Sequence, residues 1–332
     1  MSTLPRVIVL ATGGTIAGSA SSAASSARYQ AATVPVSALL QAVPVLGAVA
    51  RLEAEQVAQV DSKDMSFGLW KRLSARIDHW AAQPDVAGIV VTHGTDTLEE
   101  TAMLLHLTLR VEVPVVLTAA MRPSTALSAD GPANLLDAIR VAADPQAHGK
   151  GVLVVLNQEI HSARDAVKAH TASVGAFVSP SAGPLGFVQD ATVRVLRAPL
   201  PGPAEPWAMP SSWPLVEIVA SYAEPSRLMV DALVAGGARG IVVAAAGNGS
   251  VHDTLVAALV DAAEAGVAVV RSSRTGAGHV AVPPYINPAA AAFPTAGDLN
   301  PYKARVALGL LLGAEPDLAA DAMALQQRLL AI

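Results

Sequence analysis

The chain reads as an α/β protein of two domains, each a mostly parallel sheet flanked by helices. Three observations in the sequence predict this. Short β-branched apolar runs such as residues 6–10, 86–91, 114–118 and 151–156 each end abruptly in small or polar residues. Helical periodicity follows most of these runs, so the order is strand, loop, helix, repeated. A proline-dense stretch, residues 199–214, holds six prolines in sixteen residues and can be neither a helix nor an inner strand. It divides the chain into an N-terminal domain, residues 1–198, the linker 199–214 and a C-terminal domain, residues 215–332.

The first strand, residues 6–10, runs into Ala11-Thr12-Gly13-Gly14-Thr15-Ile16-Ala17-Gly18. Two glycines at a strand end let the backbone turn tightly and approach a ligand. The spacing is not G-x-G-x-x-G, so it does not predict a dinucleotide site. Residues 19–27 are only Ser and Ala and read as a mobile loop, a candidate lid, with Tyr29 as the first aromatic side chain after it. A short helix over 36–43 is closed by Pro44. A strand near 57–60 ends in Asp61-Ser62-Lys63-Asp64-Met65. Residues 66–80 carry Leu69, Leu73, Ile77 and Trp80 on one helical face, with Ser66 as cap.

The central stretch is Val90-Val91-Thr92-His93-Gly94-Thr95-Asp96-Thr97-Leu98-Glu99-Glu100. It predicts a buried parallel strand, a tight loop and a helix over 98–109. Ligands of open α/β sheets bind at the carboxyl ends of strands, and Thr95 and Asp96 stand there. His93 reads as structural. The strand over 114–118 leads to Ala120-Met121-Arg122-Pro123-Ser124, and Asp130-Gly131-Pro132 opens a helix to residue 142. After the strand over 151–156, residues 157–168 are polar and end in Lys168. Beyond the linker, strands are expected at 215–220, 240–246 and 267–270, and helices at 227–234, 251–263, 301–312 and 317–330. The turn Gly247-Asn248-Gly249-Ser250 closes the second of these strands.

Charge and composition remove several function classes. The net charge of -5 gives no reason to expect a nucleic-acid partner. No run of 18 apolar residues predicts a membrane span. The chain has no cysteine, so thiolate nucleophiles, disulfides and thiolate-metal sites are absent. Its eight histidines show no H-x-H or H-E-x-x-H spacing, and no metal site is expected. The first residues lack a signal-peptide order, which points to the cytoplasm, or to the periplasm if a leader has been removed. What remains is hydroxyl chemistry. A threonine hydroxyl needs a base to take its proton, and a lysine can serve where its surroundings lower its proton affinity. Thr12, Thr15, Ser62, Thr95, Asp96 and Lys168 are the available groups. Spacing alone does not say which of them meet.

Thr12-Gly13-Gly14-Thr15-Ile16 and Thr92-His93-Gly94-Thr95-Asp96-Thr97 resemble the two signature motifs of the bacterial-type L-asparaginases, the asparaginase/glutaminase family. Asp61-Ser62-Lys63-Asp64-Met65, Ala120-Met121-Arg122-Pro123-Ser124, Asp130-Gly131-Pro132, Gly247-Asn248-Gly249 and Leu299-Asn300-Pro301 agree with it in order, from residue 6 to about 312. The resemblance implies cofactor-free hydrolysis of L-asparagine to L-aspartate and ammonia, with L-glutamine as a second substrate. It implies that Thr15 attacks the side-chain amide and Tyr29 assists. Thr95, Lys168 and Asp96 work together, Ser62 binds the substrate carboxylate and Asp96 its ammonium. Gly14, Asp61, Gly94, Asn248 and Ser250 complete the substrate site.

It also implies a homotetramer, a dimer of dimers, in which a neighbouring subunit's second domain completes the site. One feature departs from the family pattern. From Gly276 to Ala296 there is no Asp or Glu, and Tyr285 falls where an acid is expected. The departure keeps an alternative reading open, an asparagine-binding regulatory protein on the same fold. A third reading, the asparaginase-like subunit of a tRNA-dependent amidotransferase, expects an additional N-terminal domain.

Overall fold

The computed structural model describes residues 4–19, 22, 30–282 and 292–332. Tyr29, Tyr285 and most of the Ser/Ala segment lie outside the described residues. By its internal contacts the chain divides into two compact units, Met1–Leu200 and Pro201–Ile332.

The first unit is built on an eight-stranded sheet. Its first five strands are β1 (Arg6–Gly13), β2 (Arg51–Val60), β3 (Val86–Thr92), β4 (Val115–Thr118) and β5 (Val152–Leu156). They lie parallel in the order β2-β1-β3-β4-β5. Helices α1 (Val36–Gln41), α2 (Phe67–Ala81), α3 (Leu98–Thr108) and α4 (Gly131–Ala143) connect them. Nearly every residue of β1, β3, β4 and β5 is buried, as parallel strands covered on both faces must be. The order reverses between β1 and β3. That is the topological switch point, where the carboxyl ends of two neighbouring strands diverge and leave a crevice.

The helix expected over 317–330 is a 3-10 segment, Pro316–Ala320, followed by an α-helix from Ala322, and two further departures bear on the first unit. The strand expected near 57–60 runs over all of Arg51–Val60. Its first half is exposed at the sheet edge and carries Glu53 and Glu55, so no apolar run announces it. Arg6 Nη2 pairs with Glu53 at 2.5 Å, and Arg76 and the Trp80 indole N–H both reach Glu55. Charged side chains on an edge strand also discourage pairing with another chain. The second place is residues 157–168. Asn157 and Gln158, both with positive φ, make a two-residue turn into β6 (Glu159–Ser162), antiparallel to β5. Two further strands, β9 (Gly186–Gln189) and β10 (Thr192–Val195), extend the sheet antiparallel. A separate short pair, β7 (Val167–Lys168) and β8 (Phe177–Val178), carries Lys168.

The second unit holds a three-stranded parallel sheet, β11 (Val216–Ala220), β12 (Gly240–Ala245) and β13 (Ala268–Ser273). Its described helices are α5 (Leu228–Ala235), α6 (Asp253–Glu264), α7 (Pro301–Ala314) and α8 (Ala322–Leu330). Leu299-Asn300-Pro301 starts α7: the Asn300 side chain accepts from Lys303 N at 3.0 Å and Pro301 occupies the first turn. The proline-dense stretch has neither helix nor strand, and Trp207 within it is buried.

Candidate active site

Three loops meet at the carboxyl ends of β1, β2 and β3. The first is Gly13-Gly14-Thr15. Gly14 has φ 83 and ψ -171, a backbone state only glycine adopts without strain. Its N–H donates to Val60 O at 3.0 Å, tying the loop to the end of β2. The second is Asp61-Ser62, where the Asp61 carboxylate caps a short 3-10 turn by accepting from Lys63 N. The third is His93-Gly94-Thr95-Asp96. A Cβ built on Gly14 would lie 2.4 Å from both the N and the Cα of Gly94. One built on Gly94 would lie 2.5 Å from Ser62 Oγ. The backbones of the first and third loops therefore touch, and Ser62 stands against Gly94.

Hydrogen bonds then fix the polar groups. Ser62, 2% exposed, accepts from Asp96 N on Oγ at 3.2 Å, which leaves its own hydroxyl proton to donate. The Thr97 hydroxyl donates to Ser62 O at 2.7 Å. Lys168 arrives from the β7–β8 pair. Its Nζ donates to Thr95 Oγ1 at 2.9 Å and to Asp96 Oδ1 at 2.5 Å. Asp96 is half exposed, and among the described residues its Oδ2 accepts no hydrogen bond. The Thr95 N–H likewise has no acceptor among the described residues. Thr15 and Thr95 are each 5% exposed. Thr12 is structural: its hydroxyl donates to Thr92 O at 2.9 Å and ties β1 to β3.

A second tier holds this floor. Asp130, at the start of α4, accepts from Met121 N and Arg122 N, both at 2.9 Å, and pins the loop after β4. Ser124 of that loop donates through its N–H and its hydroxyl to Gly18 O. Ser19 and Gln30 exchange two backbone hydrogen bonds, so the chain leaves for the Ser/Ala segment and returns from it at one point. Asn248 and Ser250 lie exposed on the turn after β12 in the second unit, where Asn248 Oδ1 accepts from Ala281 N at 2.8 Å. His93, which the sequence marks only as structural, is fully buried. Burial pushes its imidazole down to about 4, so it is neutral at ordinary pH. Among the described residues no group of three or more His, Asp or Glu is placed to hold a metal.

Fold and site together describe an α/β protein with hydroxyl, amine and carboxylate side chains gathered at a sheet switch point. Residues 6–201 match the family model described as asparaginase, N-terminal, and residues 215–322 that of the glutaminase/asparaginase C-terminal domain. The chain belongs to the asparaginase family. It is 43% identical over 312 residues to L-asparaginase 2 of Bacillus subtilis, covering 93% of this chain and 83% of that one. It is also 43% identical over 312 residues to the glutaminase-asparaginase of Pseudomonas fluorescens biotype A, covering 91% and 85%. The crystal structure of a probable cytoplasmic L-asparaginase from Campylobacter jejuni superposes with a TM-score of 0.91 at 40% identity, over 99% of this chain and all of that one.

Proposed function

We propose that the protein hydrolyses L-asparagine to L-aspartate and ammonia, and L-glutamine more slowly, through a threonine nucleophile. The observation that supports this reading is the Lys168 Nζ contact to Thr95 Oγ1, made on the loop whose Gly94 touches Gly14, the residue before Thr15. The relatives' names give the substrates.

The substrate is a zwitterion at one end. Asp96, with an unused carboxylate oxygen, receives the α-ammonium, and the Ser62 hydroxyl donates to the α-carboxylate. Asp61 acts through the turn that it caps beside Ser62. Thr15 Oγ attacks the side-chain amide carbon. The carbonyl oxygen takes on negative charge, and the Thr95 N–H, which has no acceptor among the described residues, faces it as an oxyanion donor. The C–N bond breaks, ammonia leaves with the proton of the Thr15 hydroxyl, and an ester remains on Thr15. Water attacks that ester and gives its proton to the Thr95–Lys168 pair; aspartate leaves and Thr15 regains its proton. Tyr29 assists Thr15 in this scheme.

Asn248 and Ser250, exposed on their turn, serve the site of a second copy of the chain within a homotetramer. A sedimentation measurement that finds an active monomer would remove that part. A cytoplasmic setting belongs to the same reading. The likeness to the Campylobacter jejuni protein, itself named a probable cytoplasmic L-asparaginase, supports it. Cell fractionation tests it.

The direct test is ammonia release from asparagine and glutamine, side by side, with a chelator present. Release from asparagine with saturation is expected. Calorimetric binding of asparagine without any release would favour a regulatory protein instead. Lys168→Met is expected to lower kcat on asparagine about 10²–10⁴-fold, the range for loss of a positioned acid–base group. Its melting temperature should stay close to wild type, because the partner left behind, Asp96, is half exposed. Steady-state kinetics beside thermal unfolding checks both halves of this.

A further inference from the structure

The aim of the Thr95 N–H depends on a group outside the reacting set. A trans peptide is planar, with its C=O and N–H pointing in opposite directions. Whatever holds Gly94 O therefore also decides where the Thr95 N–H points. His93 Nδ1 lies 2.7 Å from Gly94 O, and His93 Nε2 lies 3.0 Å from Thr101 Oγ1 on α3. Thr101 Oγ1 in turn lies 2.8 Å from Trp70 Nε1 on α2. His93 and Thr101 are fully buried and Trp70 nearly so.

Chemistry forces the direction of every bond in this series. An indole N–H only donates, so Thr101 Oγ1 accepts from Trp70. Gly94 O only accepts, so the proton of the neutral imidazole sits on Nδ1 and Nε2 is bare. Thr101 must then give its one hydroxyl proton to Nε2. We propose that Trp70, Thr101 and His93 form a one-way chain of hydrogen bonds that fixes the Gly94–Thr95 peptide plane, which makes His93 a positioning residue for the reaction. The proposal rests on the reading of the Thr95 N–H as oxyanion donor.

A histidine that merely satisfied itself in the core would need an acceptor of any kind. Here the acceptor is the carbonyl of the peptide that joins Gly94 to Thr95. The N–H of that peptide has no acceptor among the described residues. Two helices and the loop after β3 are joined through the chain, so the peptide is braced from the interior and not from the loop itself. Oxyanion donors act by being placed in advance, and small misplacement is costly in rate.

Thr101→Val removes the hydroxyl and keeps the β-branched shape, and Thr101→Ser keeps the hydroxyl. Kinetics on asparagine and 15N NMR of histidine-labelled full-length protein read the two levels separately. The wild-type spectrum is expected to show His93 with Nδ1 protonated and Nε2 bare. Thr101→Val should lower kcat about tenfold with KM within about twofold, because only transition-state contacts are loosened. Thr101→Ser should stay within about threefold of wild type. Should Thr101→Val fail to fold, Trp70→Phe carries the same comparison, with kcat reduced and KM held.

A wild-type His93 protonated on Nε2 would overturn the chain. So would a folded Thr101→Val, or a Trp70→Phe, that retains full kcat, or a loss confined to KM. If wild-type protein released no ammonia from asparagine, the proposed function would fail and take the positioning role with it. The tautomer reading separates that failure from a failure of the chain itself.

Discussion

Thr15→Ala is expected to lower kcat on asparagine by about 10³-fold or more, since no other hydroxyl of the first loop can take over the attack. Thr15 follows the turn at Gly14 and is 5% exposed at the end of β1. Truncation to alanine removes the hydroxyl and one methyl, and leaves the backbone contacts of Gly14 with Val60 and Ala32 in place. The unit should therefore fold, and asparagine should still bind, because Asp96 and Ser62 are untouched. Single-turnover kinetics and calorimetry on the same variant check this. Turnover near the wild-type rate would mean that the attacking group is another, with Thr95 the first to examine.

Gly14→Ala is expected to be as damaging for a different reason. Alanine at φ 83 and ψ -171 is strained, at about 1–3 kcal/mol. Its Cβ would also stand 2.4 Å from the backbone of Gly94, where no flexible side chain can move aside. The two loops must part, and with them Thr15, Thr95 and Ser62. A total loss of roughly 2–4 kcal/mol in stability is expected, with turnover lowered more than about a hundredfold in the protein that still folds. Gly47→Ala is the control, because a Cβ there meets nothing within 4 Å. It should leave stability and activity near wild type. Thermal unfolding and an ammonia assay on the two variants decide it. Equal behaviour of Gly14→Ala and Gly47→Ala would show that the contact between the loops is not what assembles the site.

Much of the fold was legible because a buried parallel strand leaves a plain signature. Residues 86–91 and 151–156 are apolar without alternation, and the helix cap Ser66 stands where a side-chain oxygen meets a free N–H group. The strand legible only at its end and the strand not legible at all lack that signature. Arg51–Val60 lies at an edge, where Glu53 and Glu55 are satisfied by Arg6 and Arg76 and not by burial. Glu159–Ser162 is announced only by a turn of Asn157 and Gln158, two residues that also begin ordinary loops.

For the site, the sequence by itself determined the ingredients: two glycine turns bearing Thr15 and Thr95, a serine after a carboxylate, and a lysine. Strand ends and glycine turns are local facts, written in neighbouring residues, and the resemblance they carry is local too. The tertiary structure alone decided what meets. Lys168 reaches Thr95 across 73 residues because a two-stranded pair turns it inward. Gly14 and Gly94 touch because β1 and β3 are neighbours across the reversal of strand order. Trp70, Thr101 and His93 form a line because α2 and α3 pack on the same loop, and nothing in their spacing says so. Contacts between distant residues follow from packing and strand order. A local pattern cannot encode them, and the site's geometry is made of such contacts.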